Sequence, residues 1–372
     1  MTITDAELHM LEVPLNGDYV TTHHGALPAV SVPLVILRDA TGSYGLGTAE
    51  VTEGYSHQSP DDVYDSLERD LLPHLLAEQP ASPNELLRSL DHRPEQINSK
   101  GAVQMAFLDL YCKQREQSLA DLLGGSIRSE EPLNGWVGID SPDAMVETTR
   151  DLADQGFTSV KVKLNGELDD DIERVEAICS TLGDTLQIRF DANCGYTDVD
   201  DAITVAKRME SYDVAHFEQP TPRDDLAALK RLSDATTVPI MADECIKELS
   251  DILDLLTDDV ADRMKFKILR LGGIMQAATA FDITAVVGMD CVLGHGFGLS
   301  TSTSAEVILA STKQNVFRPL ECVGSYKFDD QPFTDQLDLH RATASVPDAP
   351  GLGVTLKEDS LPDFSVRSTT ID

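Results

Sequence analysis

Five short stretches carry the residue types that could do acid–base chemistry around a cation. They read FTSVKVKL, LQIRFDAN, AHFEQP, VPIMADE and MKFKILRLGG. Each is an apolar run of strand length that ends in charge. Lys161 and Lys163 close the first, and Asp191 and Asn193 the second. Glu218 closes the third, Asp243 and Glu244 the fourth, Lys267 and Arg270 the fifth. If Asp191, Glu218 and Asp243 end consecutive strands, they stand side by side. Three carboxylates that close repel one another unless a cation neutralises them. Oxygen-only ligands with open positions suit Mg²⁺. Residues i and i+2 of a strand share a face, so Lys161 and Lys163 point the same way. Two ammonium groups side by side are expected to lower each other's pKa and leave a neutral lysine as general base. The companion, still protonated, would neutralise an anion. Lys267 comes several strands later. A lysine on each side of one carbon fits proton removal on one face and return on the other.

The elements that must position these groups follow from the spacing. Lys163 to Asp191 is 28 residues, then 27 to Glu218, 25 to Asp243 and 24 to Lys267. One strand with its crossover helix takes about 25 to 30 residues, so this is the rhythm of a parallel β/α barrel. Barrel chemistry sits at the C-terminal ends of the strands, where these charges fall. PLNGWVGI opens the barrel, DCVLGHGFGLS supplies a seventh strand and RPLECVG an eighth. Helices are expected near 142–155, 168–182, 198–211, 223–236, 247–256, from Gly272 to Val287, and 302–311.

Before the barrel, residues 1–57 alternate apolar and polar residues in a hairpin pattern around Asp39–Gly42. A polar loop is expected over Gly17–Tyr19 and Thr21–Gly25, and a second over Glu53–His57. Residues 61–76, 83–90 and 99–123 carry apolar residues at helical spacing. The expected organisation is therefore an α+β capping domain over 1–125, a modified (β/α) barrel over 126–330, and a segment 331–372 that returns to the cap.

Composition narrows the class further. The chain has 372 residues, 41% of them hydrophobic. No apolar run reaches the roughly 18 residues of a membrane span, and residues 1–30 lack the build of a signal peptide. The expected location is cytoplasmic. Acidic residues number 64 against 29 basic, a formal net charge of −35. That charge argues against nucleic acid and anionic membranes as partners. It also suggests a high-salt source, because such self-repulsion is a lever used by halophiles. The six cysteines form no C-x-x-C pair and read as reduced thiols.

The series K-V-K, D-A-N, F-E-Q-P, A-D-E and K-I-L-R-L-G-G, in this order, resembles the enolase superfamily. It is most similar to the muconate-lactonizing subgroup, which includes dipeptide epimerases, acylamino-acid racemases and succinylbenzoate synthases. The resemblance implies Mg²⁺ on Asp191, Glu218 and Asp243, and acid/base lysines at Lys163 and Lys267. Lys161 would help to stabilise an enediolate formed when the proton α to a substrate carboxylate leaves. Asn193 and Glu244 would stand beside the metal ligands, and Arg270 would be an ion-pair partner at the edge. A mandelate-type site would need a Glu as third ligand and a His–Asp base pair, where this chain has Asp243 and Lys267.

Specificity would come from loops over the mouth. Tyr19, His23 and His24 in the first loop and Tyr55 in the second are candidate substrate contacts. His295, in Gly294-His295-Gly296, is open to substrate contact, to acid catalysis, or to a backbone hydrogen bond. Glu321 could bind a substrate ammonium, orient Lys267 or cap a loop. PLECVG lacks the Asp-x-Asp that dipeptide epimerases carry at this strand. The expected activity is that of an isomerase on a small carboxylate, either racemase/epimerase or cycloisomerase, with a dehydratase as runner-up. A Schiff-base aldolase on Lys163 or Lys267 gives the acids no task, and a non-catalytic binding barrel gives none to the lysines. Barrels of this kind often assemble, which implies a homo-oligomer.

Overall fold

The computed structural model describes residues 2–21, 25–52, 56–294 and 296–372. Four antiparallel strands form the first layer, in the order Ser365–Ile371, Ile3–Thr21, Gly25–Asp39 and Tyr44–Thr48. The last strand of the chain thus pairs with the first, Leu8 opposite Thr369. The first hairpin is longer than the sequence implies. The backbone of Tyr19 pairs with Leu27, inside the region expected to be a loop, and the register shifts between Pro14 and Tyr19. A bulge there takes up the turn-forming Gly17-Asp18 while the ladder continues.

Helix Ile97–Lys113 lies directly on this sheet and is buried nearly all round. Two glycines let it approach. A Cβ at Gly45 would fall 2.1 Å from the Ala106 carbonyl, and one at Gly47 2.1 Å from that of Ala102. The helix's other side meets the barrel, where Asn98 Nδ2 donates to the Leu269 carbonyl at 3.2 Å. The helix expected over 99–123 is two helices. Glu116 takes a left-handed φ of 51°, and Ser118 begins Leu119–Leu122 with a capping box to Asp121. Residues 61–76 also differ, being helical over 60–78 with a π-helical turn at Leu67–Leu71.

The barrel follows the expected rhythm. Gly135–Val137, Ser159–Lys163, Gln187–Asp191, Val214–Glu218, Ile240–Ala242, Arg263–Phe266 and Val292–Leu293 form one parallel sheet in chain order. Residues 316–321 close it by isolated parallel bridges, Leu320 to Leu133 and Gly294 to Glu321. Helices separate the strands, among them Pro142–Asp154, Leu168–Leu182 and Ile274–Val286. Both faces of the sheet are covered, so Ser159–Lys163 is buried at every position. Charged side chains on such a strand must face the barrel axis and find partners there.

Candidate active site

The strand ends converge on one cavity. It is lined by Lys161, Lys163, Asp191, Asn193, Glu218, Asp243, Lys265, Lys267 and Glu321. Lys163 is on the second strand and Lys267 directly follows the sixth, half a turn apart in an eight-position ring. The three acids expected to meet here are 0% exposed. Each is held by a cation or lies beside one. Lys163 Nζ donates to Asp191 Oδ2 at 2.6 Å and to Asn193 Oδ1 at 2.5 Å. Lys267 Nζ donates to Asp243 Oδ2 at 2.6 Å, and Arg270 Nη1 to Asp243 Oδ1 at 2.6 Å. Asn193, in a left-handed turn with φ 44°, donates from Nδ2 to Glu244 Oε1 at 2.8 Å.

Beneath this rim lies a layer that the sequence reading missed. Lys265 Nζ donates to Glu218 Oε1 at 2.9 Å and to Glu321 Oε2 at 2.6 Å. Lys161 Nζ reaches the same Glu321 oxygen at 2.7 Å. Arg189 Nη1 takes Oε1 at 3.2 Å, and His216 Nε2 lies 4.0 Å from it. Each newcomer sits two residues before a rim residue: 189 before 191, 216 before 218, 265 before 267, as 161 precedes 163. Period-two alternation places them on the same inward face, one layer deeper. That spacing was the available signal, and K-F-K at 265–267 repeats K-V-K at 161–163.

Two expectations change as a result. Lys161 does not have a depressed pKa. Burial lowers it, but Glu218 and Glu321 outweigh burial and raise it. Glu321 lines the cavity, and its hydrogen-bond donors are three other cations rather than Lys267. Its two oxygens accept from Lys161, Lys265 and Arg189, and despite burial these cations hold its carboxyl well below the usual range.

The electrostatics separate the groups. Burial, reinforced by Asp191, pushes the Glu218 carboxyl well up. Asp191 is held down despite burial, chiefly by Lys163 and Lys161. Burial and Arg270 push the Lys267 amine well below its ordinary value. Glu244 is raised to about 7 by burial, Asp243 and Asp191. Among the described residues, the one trio of possible ligand atoms all within 4.8 Å is His216, Glu218 and Glu321. Lys265 already bridges its two acids, so that trio is an ion-paired floor. Asp191, Glu218 and Asp243 accordingly stand wider apart than that limit. The side chain of Tyr19, and His23, His24, Tyr55 and His295 altogether, lie outside the described residues.

A parallel barrel with acids on consecutive strand ends, lysines on both sides and an α+β layer at its mouth defines an enolase-type enzyme. The chain belongs to the mandelate racemase/muconate lactonizing enzyme family. Residues 7–124 match the mandelate racemase/muconate lactonizing enzyme N-terminal domain, and residues 144–360 the enolase C-terminal domain-like family. It is similar to N-succinyl-L-Arg/Lys racemase of Bacillus cereus, 24% identical over 98% of both chains. The crystal structure of that racemase covers 100% of each chain with a TM-score of 0.95. The L-Ala-D/L-Glu epimerase of Bacillus subtilis is 28% identical over 95% of this chain and 97% of its own. A muconate cycloisomerase of Acinetobacter lwoffii is 30% identical over 88% and 86%. With racemases, epimerases and cycloisomerases as its relatives, the chain is an isomerase of this family. The dehydratase alternative is not favoured.

Proposed function

We propose that the chain is a Mg²⁺-dependent racemase or epimerase of a small carboxylate, with Lys163 and Lys267 working on opposite faces of the α-carbon. The observation that carries this reading is the pair of lysines lining one cavity from opposite sides of the ring. The donor set suits the metal. Asp191, Glu218 and Asp243 offer only oxygens and are fully buried, and Glu244 Oε2 has no hydrogen-bond partner among the described residues. An unsatisfied buried carboxylate oxygen beside two more acids fits a hard cation. Mg²⁺ on those three acids would polarise a bound carboxylate and stabilise the negative charge that develops as the α-proton leaves.

The chain's own residues do the rest. Lys267 is held toward its neutral form and so can accept the α-proton on its side. Lys163, directed by Asn193, returns a proton on the other side. Lys161, held cationic by the floor, faces developing anionic charge without leaving its site. Asn193 and Arg270 fix the two acids that the lysines touch. In this reading the enzyme works in a cytoplasm of high salt, as the net charge of −35 suggests.

The test follows each enantiomer of N-acyl amino acids in deuterated water with Mg²⁺, by proton NMR. Lys163→Ala should stop α-exchange of one enantiomer and Lys267→Ala that of the other. Normal exchange in both variants would remove the assignment.

A further inference from the structure

Each of the three rim acids has one oxygen taken by a donor other than the acid/base lysines. Asp191 Oδ1 accepts the backbone N–H of Asn193 at 2.9 Å, and Asp243 Oδ1 accepts from Arg270 at 2.6 Å. The Oδ2 atoms of both face Lys163 and Lys267. Glu218 repeats the pattern with a donor from the deeper layer. Its Oε1 accepts from Lys265 at 2.9 Å. Its Oε2 has, among the described residues, only a long contact with Lys161 at 3.4 Å. One oxygen of Glu218 is therefore tied down and the other is loosely engaged.

Lys265 is not free to step aside. It stands on strand Arg263–Phe266 and is only 2% exposed. Its Nζ also donates to Glu321 Oε2 at 2.6 Å, and Glu321 in turn holds Lys161 and Arg189. Pulling this ammonium away would break two buried ion pairs at once, at a cost that neither water nor a neighbouring acid offsets.

We propose that Lys265 is a positioning residue that sets which cation the site accepts: by occupying Oε1 it restricts Glu218 to coordination through Oε2 alone, which favours Mg²⁺ over Ca²⁺. The inference rests on the Mg²⁺ reading above and deepens it, by adding how the site rejects the larger hard cation.

The two ions differ in what they ask of a carboxylate. Mg²⁺ demands near-ideal octahedral geometry and keeps several waters, so one oxygen from each acid suits it. Ca²⁺ takes about six to eight oxygens and gains from a carboxylate that gives both. Glu218 has the longest side chain of the three acids and is the one best able to turn both oxygens onto an ion. Lys265 prevents that turn. Its charge does not discriminate, because two ions of equal charge are repelled nearly alike. Selection therefore lies in the geometry it imposes.

The test titrates full-length protein, freed of metal by dialysis against EDTA, with MgCl₂ and separately with CaCl₂ in a calorimeter. In Lys265→Met the ratio of the Ca²⁺ Kd to the Mg²⁺ Kd should fall by at least about 10-fold, the lower end for losing an outer partner of a metal ligand. Lys265→Arg keeps a donor on Oε1 and should keep the wild-type ratio. A purely structural role would shift both ions by one factor. An unchanged ratio in Lys265→Met thus overturns the proposal. Crystals of the wild type with Ca²⁺ decide the point even where the methionine variant folds poorly. Glu218 should meet the ion through Oε2 with Lys265 still on Oε1, and contact through both oxygens overturns the proposal. Binding with an unchanged ratio removes only the Lys265 assignment. Absence of binding by either ion removes the Mg²⁺ reading and this inference with it.

Discussion

Lys265 Nζ lies 2.6 Å from Glu321 Oε2 at the floor of the barrel, and Lys161 shares that same oxygen at 2.7 Å. One carboxylate therefore holds two lysines, and through its other oxygen Arg189. All four residues are nearly or fully buried. A charge hub of this kind fixes where Lys161 stands, and Lys161 lines the cavity in which the substrate would be handled.

Removing the hub's negative centre should cost more than removing one cation. Glu321→Gln leaves Lys161, Lys265 and Arg189 facing a neutral amide. Breaking a buried pair by deleting one partner costs about 3–5 kcal/mol. Lys265→Met replaces one cation by an apolar chain of similar length, while Lys161 and Arg189 still satisfy Glu321. Urea denaturation should therefore rank Glu321→Gln well below Lys265→Met in midpoint, with Lys265→Met below wild type. A Glu321→Gln variant as stable as wild type would mean that the floor is not held by charge.

Asp243 bridges Lys267 and Arg270, so Asp243→Asn separates ligand chemistry from packing. The amide keeps the shape and retains an oxygen for one donor. If Asp243 is a ligand, Mg²⁺ affinity measured by calorimetry should fall by about 10- to 100-fold or more, since even outer partners of metal ligands have effects of that size. Addition of EDTA should abolish α-exchange by the wild type, and Mg²⁺ should restore it. Unchanged metal affinity in a folded Asp243→Asn variant would remove this residue from the ligand set.

The thiols offer a chemical check on the packing. All six cysteines are free, five of them buried and Cys194 partly exposed. Burial pushes Cys112, Cys179 and Cys291 up to about 12. At pH 8 an ordinary thiol of pKa about 8.5 is substantially ionised, whereas one at 12 has about one thiolate in ten thousand. Cys194 is partly exposed, yet burial and the neighbouring Glu244 and Asp243 push its thiol up further still, so, because only the thiolate attacks, native protein at pH 8 should react slowly with an aromatic disulfide reagent at all six thiols. Denatured protein should release six equivalents at once. Rapid reaction of several native thiols would contradict the burial described here.

The rim of the site was legible because two periodicities coincide there. The β/α spacing placed Lys163, Asp191, Glu218 and Asp243 on one ring, and strand alternation aimed them inward. The deeper layer obeys the same alternation, yet Arg189 and His216 read as ordinary strand polar residues. Charge within an apolar run carries no mark of which cation will pair with it. Glu321 is legible as a strand-end acid but its partners are not, because they come from three strands distant in sequence. Lys327, which also lines the cavity, had no signal at all, since a 3₁₀ turn outside the barrel has no period to place it. The loop expected over Gly17–Tyr19 gives way for the opposite reason. Gly17-Asp18 has turn chemistry, but the ladder to Leu27 overrides it.

The acidic surface predicts an unusual salt response. Net charge of −35 spread over one chain repels itself. Exposed pairs such as Arg231–Asp200 and Lys247–Asp224 are weakened by salt as well, but each contributes only about 0–1 kcal/mol. Repulsion among the surplus acids should win that comparison. Raising KCl from 0.1 to 1 M shortens the screening length from about 10 to 3 Å. The melting temperature should therefore rise with KCl, most steeply at the low end where screening changes fastest. Sucrose at matched osmolality separates charge from general exclusion, because it stabilises without screening. A melting temperature that stays flat or falls as KCl rises would show that the surface charges are already balanced in the fold.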